Sequence, residues 1–215
     1  MKDIILIGSG GCMREIAWQL QQCSTQQWNI AGYIDSHEPE EDFGILVGKQ
    51  KIPYLGGDDV LLQKRETVNA AVCVGEPALR KKIVQKLKKN EMIQFPGLIL
   101  GHTEICEDVS MGEGVIVSMD VRVSTNVRLG NFVFLNIGSM VCHDGCIGDF
   151  TTLSPDVKLA GNVSVGTAGN IGIGTRVIQG ISIGNSVVTG AGSVIVRDVE
   201  DNCTVAGVPA GKIRG

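Results

Sequence analysis

Residues 111–135 read MGEGVIVSMDVRVSTNVRLGNFVFL, and an apolar side chain stands at every sixth position of this stretch. The same period runs from residue 99 to residue 195 without an inserted residue, and only Thr189 breaks the apolar series. Its anchor positions are Ile99, Ile105, Met111, Val117, Val123, Leu129, Leu135, Val141, Ile147, Leu153, Leu159, Val165, Ile171, Val177, Ile183, Thr189 and Ile195. A period of six sustained this long is typical of a solenoid. The sequence therefore predicts a parallel β-helix in which three sides of six residues close a coil of 18, whereas a β-sandwich would have irregular turn spacing.

Residues 1–94 follow a different pattern, in which short apolar runs alternate with helical periodicity. Residues 4–7, 30–34 and 70–74 form the apolar runs and are predicted to be strands. One helix is predicted from the stripe Met13, Ile16, Ala17 and Leu20, and another from Leu79, Ile83 and Leu87. Alternating strands and helices favour a small parallel α/β sheet. We therefore expect two domains, residues 1–94 and 95–215.

The bulk composition excludes several classes of protein. The net charge of -4 gives no basic field for nucleic acid or an anionic membrane surface. Seven cysteines without C-x-x-C spacing indicate reduced thiols, as expected of a cytoplasmic protein. The first residues resemble no signal peptide, and no apolar run reaches the ~18 residues of a membrane-spanning helix.

Histidine is scarce, since the chain holds only His37, His102 and His143. A zinc site of the kind found in β-helical carbonic anhydrases needs three converging imidazoles. The solenoid contains two histidines, and their separation (143 − 102 = 41 residues) is not a whole number of 18-residue coils. We therefore expect no metal.

The pair His143 and Asp144 is the best candidate for chemistry in the solenoid. Gly161 follows His143 by 18 residues, so the two should lie next to each other in adjacent coils. A general base beside a backbone N–H donor suits aminolysis of a thioester, because the base removes the proton and the N–H stabilises the oxyanion. A histidine at a solenoid corner is more often a solvated polar residue. Cys142 and Cys146 flank it, and packing is the simpler role for both thiols.

A second candidate site is the turn Gly8-Ser9-Gly10-Gly11, which follows a predicted strand and opens a predicted helix. Such a turn can hold a phosphate group, and Asp35 at the end of the second strand could accept hydrogen bonds from a ribose or a base. The pattern is not a full G-x-G-x-x-G, because Met13 stands at the last glycine position. A tight turn that binds no ligand is the alternative.

Together these features resemble the sugar acyltransferases of the NeuD/PglD type, most strongly over residues 135–150, LNIGSMVCHDGCIGDF. The resemblance covers nearly the whole chain. It implies an α/β Rossmann-like domain that binds a nucleotide sugar, followed by a left-handed β-helix with a C-terminal cap. It also implies acetyl-CoA as cosubstrate, a homotrimer and a cytoplasmic location.

The resemblance also assigns roles to individual residues. His143 is the catalytic base and Asp144 its acidic neighbour, while Gly161 meets the thioester carbonyl and Asn136 contacts the sugar acceptor. The residues expected at acetyl-CoA are Gly161, Ile173, Gly207, Val208, Pro209 and Ala210. Those expected at the nucleotide sugar are Gly8, Gly10, Gly11, Asp35, Ser36, His37 and Asn136. Cys12 and Thr152 stand where many members carry histidines.

Three functions remain open on the sequence. The first is transfer of an acetyl group from acetyl-CoA to the amine of a nucleotide-linked amino sugar. The second is O-acetylation of a sugar hydroxyl, as in sialic acid. The third is a non-catalytic binding module built on a β-helix.

Overall fold

The computed structural model describes residues 1–23, 27–38 and 44–214. Its internal contacts divide the chain into two compact units. One comprises Met1–Gly75 and Leu79–Pro96, and the other comprises Glu76–Ala78 and Gly97–Gly215.

The first unit is built on a six-stranded sheet with helices between its strands. In chain order its elements are β1 (Lys2–Ile7), α1 (Gly11–Gln22), β2 (Trp28–Ile34), β3 (Gly44–Val47), β4 (Gln50–Gly56), α2 (Asp59–Leu62), β5 (Val68–Val72), α3 (Pro77–Leu87) and β6 (Ile93–Gln94). The strand order is β3-β4-β2-β1-β5-β6, and only the pairing of β3 with β4 is antiparallel. β1 is a continuous apolar run because residues 4–7 are buried on both faces of the sheet.

The sequence predicts three of these strands and both longer helices, with boundaries displaced by about two residues. It does not predict the hairpin β3–β4, the short helix α2 or the two-residue strand β6. The buried face expected for α3 is wrong by one residue. Leu79 is 49% exposed, whereas Arg80, Val84 and Leu87 are buried. The predicted and the observed buried faces share Leu87. The observed face contains Arg80, and a charged residue there interrupts the apolar pattern from which a buried face is predicted.

β1 lies between β2 and β5, so the chain crosses from one side of β1 to the other. Crevices for ligands form at the carboxyl ends of the strands where such a reversal occurs. Gly8 follows β1, Asp35 follows β2 and Cys73 follows β5. This edge of the sheet is therefore a candidate ligand site.

The second unit is a parallel β-helix made of two-residue strands on three sheets. Sheet I contains β7 (Leu98–Ile99), β10 (Ile116–Val117), β13 (Phe134–Leu135), β16 (Thr152–Leu153), β19 (Asn170–Ile171), β22 (Val188–Thr189), β24 (Thr204–Gly207) and β25 (Ala210–Arg214). Sheet II contains β8 (Glu104–Ile105), β11 (Arg122–Val123), β14 (Met140–Val141), β17 (Lys158–Leu159), β20 (Arg176–Val177) and β23 (Val194–Ile195). Sheet III contains β9 (Ser110–Met111), β12 (Arg128–Leu129), β15 (Cys146–Ile147), β18 (Ser164–Val165) and β21 (Ser182–Ile183).

The register confirms the predicted period. Ile116 pairs with Leu98 on one side and with Phe134 on the other, and each step is 18 residues. The step is 18 residues in every pairing among β7 to β23. It shortens to 16 at the last coil, where Ile183 bridges to Val199 (199 − 183) and Val188 pairs with Thr204 (204 − 188). β25 then folds back antiparallel on β24, with Val208 and Pro209 in the turn between them.

The anchors fill the interior of the solenoid. Every anchor from residue 117 to residue 195 is buried. The expectation fails at the first coil, where Ile99 is 51% exposed, Met111 is 40% exposed and Ile105 is only half-buried. These residues belong to the first coil, so no earlier coil of the solenoid packs against them. Each later anchor is covered by an anchor of the coil before it.

Thr189, the polar anchor, is satisfied inside the core. Its hydroxyl oxygen accepts the Gly172 N–H at 2.9 Å and lies 2.9 Å from the Thr175 hydroxyl, which is also fully buried. A buried polar group without a partner is costly, and this pair removes that cost.

We predict that Thr189→Val lowers the free energy of unfolding by about 1–3 kcal/mol, because it leaves the Thr175 hydroxyl and the Gly172 N–H without this partner. Replacing Thr189 and Thr175 together by valine should cost less than the sum of the single changes. Chemical denaturation of the three variants measures this coupling, and simple additivity would contradict it.

Candidate active site

His143 stands two residues after the anchor Val141, where the chain turns from sheet II to sheet III. We call the stacked turns 106–109, 124–127, 142–145 and 160–163 the histidine corner. The imidazole is half exposed, and its Nδ1 lies 2.8 Å from Oδ2 of Asp144. An Nδ1–H that donates to this carboxylate leaves Nε2 as the basic nitrogen. The pair therefore has the geometry of an oriented general base.

Asp144 is fixed from two sides. It adopts a left-handed φ of 60°, and its Oδ1 accepts a 2.7 Å hydrogen bond from the Asn126 side chain in the preceding coil. The hydrogen bonds from His143 and Asn126 hold the pKa of the Asp144 carboxyl below its usual range. The group is thus a carboxylate at neutral pH, and its charge favours the imidazolium that forms when His143 takes up a proton.

Gly161 lies against the His143 ring, as the 18-residue spacing predicts. The Asn162 N–H donates to the His143 carbonyl at 2.8 Å, which locks the two turns together. A Cβ atom at residue 161 would lie 2.3 Å from both Cε1 and Nε2 of His143. Only glycine therefore allows the imidazole to occupy this position. Among the described residues, no hydrogen-bond acceptor takes the Gly161 N–H.

The other residues expected in this site lie elsewhere in the chain. Asn136 precedes β14 and His143 follows it, so the two residues lie at opposite ends of one side of the solenoid. The Asn136 side chain accepts the Ile137 N–H at 2.7 Å. Ile173 is 53% exposed near the same corner as Asn136, and Val208 is 73% exposed in the β24–β25 turn. Within one chain the structure brings together His143, Asp144 and Gly161.

A shallow groove of about 510 Å³ runs over the outer face of sheet II and ends beside the histidine corner. Its lining includes Glu104, Arg122, Met140 and Cys142. The sequence does not predict this groove, because outward positions of the repeat carry no pattern.

The glycine turn after β1 is shaped by close backbone contacts. Gly8 has a φ of 112°, donates its N–H to Ile34 at 2.9 Å, and leaves only 3.3 Å between a built Cβ and the Cys73 carbonyl oxygen. Gly10 is the N-cap of α1, so the helix begins directly after this turn at the end of β1. The first N–H groups of α1 therefore face the carboxyl edge of the sheet, where they can bind an anion such as phosphate.

Asp35 lies at the same edge, since it directly follows β2. Burial would raise the pKa of its carboxyl, but hydrogen bonds from the His37 N–H and the Ser9 hydroxyl outweigh burial and lower it. His37 itself is 92% exposed. The carboxylate is charged and positioned to accept hydrogen bonds from hydroxyl groups of a ligand. Ser9 is a contributor that the sequence does not single out.

Arg80 is a further residue at this edge that sequence reasoning misses. Its side chain is 2% exposed, and Nη1 donates to the carbonyls of Val74 and Gly75 at 2.7 and 3.0 Å. These bonds fix the loop that follows β5. It lies on the same face of α3 as Val84 and Leu87, at i+4 and i+7, but a charged residue is not counted in an apolar stripe, so the periodicity alone does not single it out.

Comparison with known proteins identifies the family. The PglD N-terminal domain matches residues 3–87. The PerB structure from Caulobacter crescentus in complex with CoA and GDP-perosamine is 30% identical and covers 99% of this chain and 97% of its own, with a TM-score of 0.87. A histidine-to-alanine mutant of GDP-perosamine N-acetyl transferase from the same organism, with the same two ligands, is 29% identical over 100% and 98%, with a TM-score of 0.88. The acetyltransferase domain of PglB from Neisseria gonorrhoeae, in complex with acetyl coenzyme A, is 27% identical over 99% of both chains, with a TM-score of 0.86. No protein of curated function matches the sequence.

The chain belongs to the NeuD/PglD-type family of sugar acetyltransferases. It is therefore an enzyme of the acyltransferase class, and its solenoid is the left-handed β-helix of this family. The six-residue period does not determine this hand.

Two positions at which this chain differs from many NeuD/PglD-type members are both poorly exposed. Burial, with a smaller effect of Glu15, raises the pKa of the Cys12 thiol to about 11, so the thiol is neutral at physiological pH. Thr152 is 4% exposed. Neither side chain can supply the charge that an imidazole would.

Two classes of feature are absent from the described part of the chain. No group of three or more His, Cys, Asp or Glu side chains in residues 1–23, 27–38 and 44–214 is placed to hold a metal ion. No helix in those ranges has the length and apolar character needed to cross a bilayer.

We predict that Gly161→Ala reduces turnover about 100-fold, because the added methyl group must displace the His143 ring from its position. The melting temperature should change little, since the neighbour that moves is a half-exposed side chain. The matched control is Gly97→Ala, where the new Cβ meets only ordinary contacts. Wild-type turnover in Gly161→Ala would contradict this account of the site.

We also predict that Asp35→Asn weakens binding of a nucleoside diphosphate about tenfold, because a carboxylate is a stronger hydrogen-bond acceptor than an amide. The affinity for coenzyme A should be unchanged. Asp58→Asn is the control, because Asp58 is a carboxylate of the same unit whose partner is Lys86. Calorimetric titration of both variants measures the difference, and equal affinities would exclude Asp35 from the site.

Proposed function

We propose that this enzyme transfers an acetyl group from acetyl-CoA to the amino group of a nucleotide-linked amino sugar, in the biosynthesis of a bacterial surface glycan. The observation that carries the proposal is the contact of His143 with Asp144 on one side and Gly161 on the other. The likeness to an N-acetyl transferase that binds CoA and GDP-perosamine supports an amine as the acceptor.

The proposed reaction is a direct attack in one site. The acceptor nitrogen attacks the thioester carbonyl carbon while Nε2 of His143 takes its proton. Asp144 stabilises the resulting imidazolium, and the Gly161 N–H, which has no acceptor among the described residues, donates to the carbonyl oxygen as it becomes negative. The C–N bond then remains, the C–S bond breaks, and the proton on His143 passes to the departing coenzyme A thiolate.

The remaining site residues complete the proposal. Gly8, Gly10, Gly11 and the stretch 35–37 would hold the nucleotide, because α1 offers N–H groups to phosphate and Asp35 offers a charged acceptor. Ile173 and residues 207–210 would contact coenzyme A. Ile173 and Val208 are exposed apolar side chains that could cover part of such a ligand.

We further propose that the active enzyme is a homotrimer in the cytoplasm. Asn136, expected to contact the acceptor, and His143 lie at different corners of one solenoid. Packing three solenoids side by side around a threefold axis would allow Asn136 of one copy to approach His143 of another. Within a single chain the acceptor would have only one of these two residues.

The test is release of coenzyme A thiol from acetyl-CoA with UDP-, GDP- and dTDP-linked 4-amino sugars and with free sialic acid as acceptors. We predict turnover with one of the amino sugars. His143→Ala should lose most of it while binding coenzyme A with nearly unchanged affinity. His102→Ala, which removes an exposed histidine elsewhere in the solenoid, serves as the control.

Each other outcome points to a different function. Release only with sialic acid would assign an O-acetyltransferase, and tight binding of a free nucleoside diphosphate would argue against that assignment. No release with any acceptor, together with no binding of coenzyme A, would indicate a non-catalytic module. Full activity of His143→Ala would overturn the mechanism.

A further inference from the structure

The histidine corner carries a stack of polar side chains that continues below the site. Asp108, Asn126 and Asp144 occupy equivalent positions in three successive coils, 18 residues apart. Oδ2 of Asp108 accepts the Asn126 N–H at 3.0 Å and the Thr125 hydroxyl at 2.5 Å. The Asn126 side chain in turn donates to Asp144 at 2.7 Å. Hydrogen bonds therefore connect Asp108 to Asn126, Asn126 to Asp144, and Asp144 to His143.

Asn126 determines how Asp144 faces the imidazole. Its amide occupies Oδ1, so the oxygen that remains for Nδ1 of His143 is Oδ2. The backbone of Asn126 has a left-handed φ of 55°, and its N–H donates to Asp108. These two features fix the position of the Cα atom from which the Asn126 side chain extends. Asparagine tolerates this φ, and its side-chain amide donates a hydrogen bond. Aspartate and glycine also tolerate this φ, but an ionised aspartate side chain has no donor and glycine has no side chain.

We propose that Asn126 is a positioning residue for the catalytic dyad, acting on His143 through Asp144. The kinetic consequence rests on the proposed function, whereas the effect on the imidazole does not. The amide is neutral, so it holds the carboxylate in place without adding a second negative charge beside the imidazole. A carboxylate at residue 126 would add that charge, and glycine would remove the hydrogen bond.

Several other charged or titratable groups lie on the turns and strands around this dyad. They are Cys106, Glu107 and Asp108 in the turn two coils below His143, Arg122 and Arg128 on β11 and β12 in the coil below, Lys158 on β17 in the coil above, and Cys142 and Cys146 beside the dyad. All of them are unchanged in the variants below, so a difference between variants reports on residue 126 alone.

The experiment is an NMR titration of the full-length protein labelled with ¹³C-histidine. The chain has only three histidines, so His143→Gln assigns the His143 signal. Asn126→Asp should move the His143 signals' midpoint to higher pH than in the wild type, because a second negative charge within reach favours the protonated ring. Asn126→Gly should shift the His143 signals, since Asp144 loses the donor on Oδ1. Ser186→Gly, at another corner residue with a φ of 53°, should leave the titration unchanged.

Kinetics give the second readout. Asn126→Gly should lower kcat about fivefold, the effect expected for one lost hydrogen bond, with little change in the KM for acetyl-CoA. Asn126→Asp should move the acidic limb of the pH–rate profile upward with the imidazolium pKa. A merely structural role would lower the melting temperature and leave both the titration and the pH profile unchanged.

The outcomes separate this inference from the proposed function. A wild-type protein without acetyl transfer, but with the expected shift in Asn126→Asp, would overturn the function and retain the positioning role. An active wild type whose Asn126→Asp and Asn126→Gly variants titrate and turn over normally would overturn the positioning role and retain the function.

Discussion

Lateral hydrogen bonding between coils of identical length is the constraint on which the second unit depends. From β7 to β23 each strand has only two residues, too few to form a stable sheet alone, and within the stack the paired strands lie 18 residues before and after it. The same register brings His143 and Gly161 into contact, places Asn126 under Asp144, and aligns the anchors in one interior. The 18-residue length of the coil therefore determines both the fold of the second unit and the contacts of the candidate site.

The solenoid could be predicted from sequence in detail because its pattern is local and repeated. One buried anchor every six residues determines the sides, the coil length and the contact of His143 with Gly161. What lies outside the period could not be predicted in this way. The groove on sheet II is formed by outward-pointing side chains. The hydrogen bond from Asn126 to Asp144 depends on the direction in which the Asn126 side chain points. The exposure of Ile99 and Met111 depends on the absence of a coil below them.

The α/β unit was less accessible to sequence reasoning. The sequence predicts its strands β1, β2 and β5 from apolar runs of four or five residues, whereas the edge strand β3 has a run of only three, Ile45-Leu46-Val47, in which Leu46 is 68% exposed. Arg80 shows the limit most clearly. A charged side chain on a helix is normally placed on the solvent face, yet here it is buried to hold two carbonyls of the loop after β5. A pattern that sorts residues only into apolar and polar assigns an arginine such as Arg80 to the solvent face.

The constant 18-residue step also restricts how this protein can change length over evolution. Adding or deleting a whole coil above Gly161 or below Asp108 keeps every neighbour in the histidine corner. A single inserted residue within a coil would displace the next turn by one position, and His143 would then face a different residue. The contacts within the histidine corner are therefore preserved when complete coils are duplicated, and they are sensitive to the smallest insertion between residues 126 and 161. In this stretch of the chain, the spacing of residues is constrained as strongly as their identity.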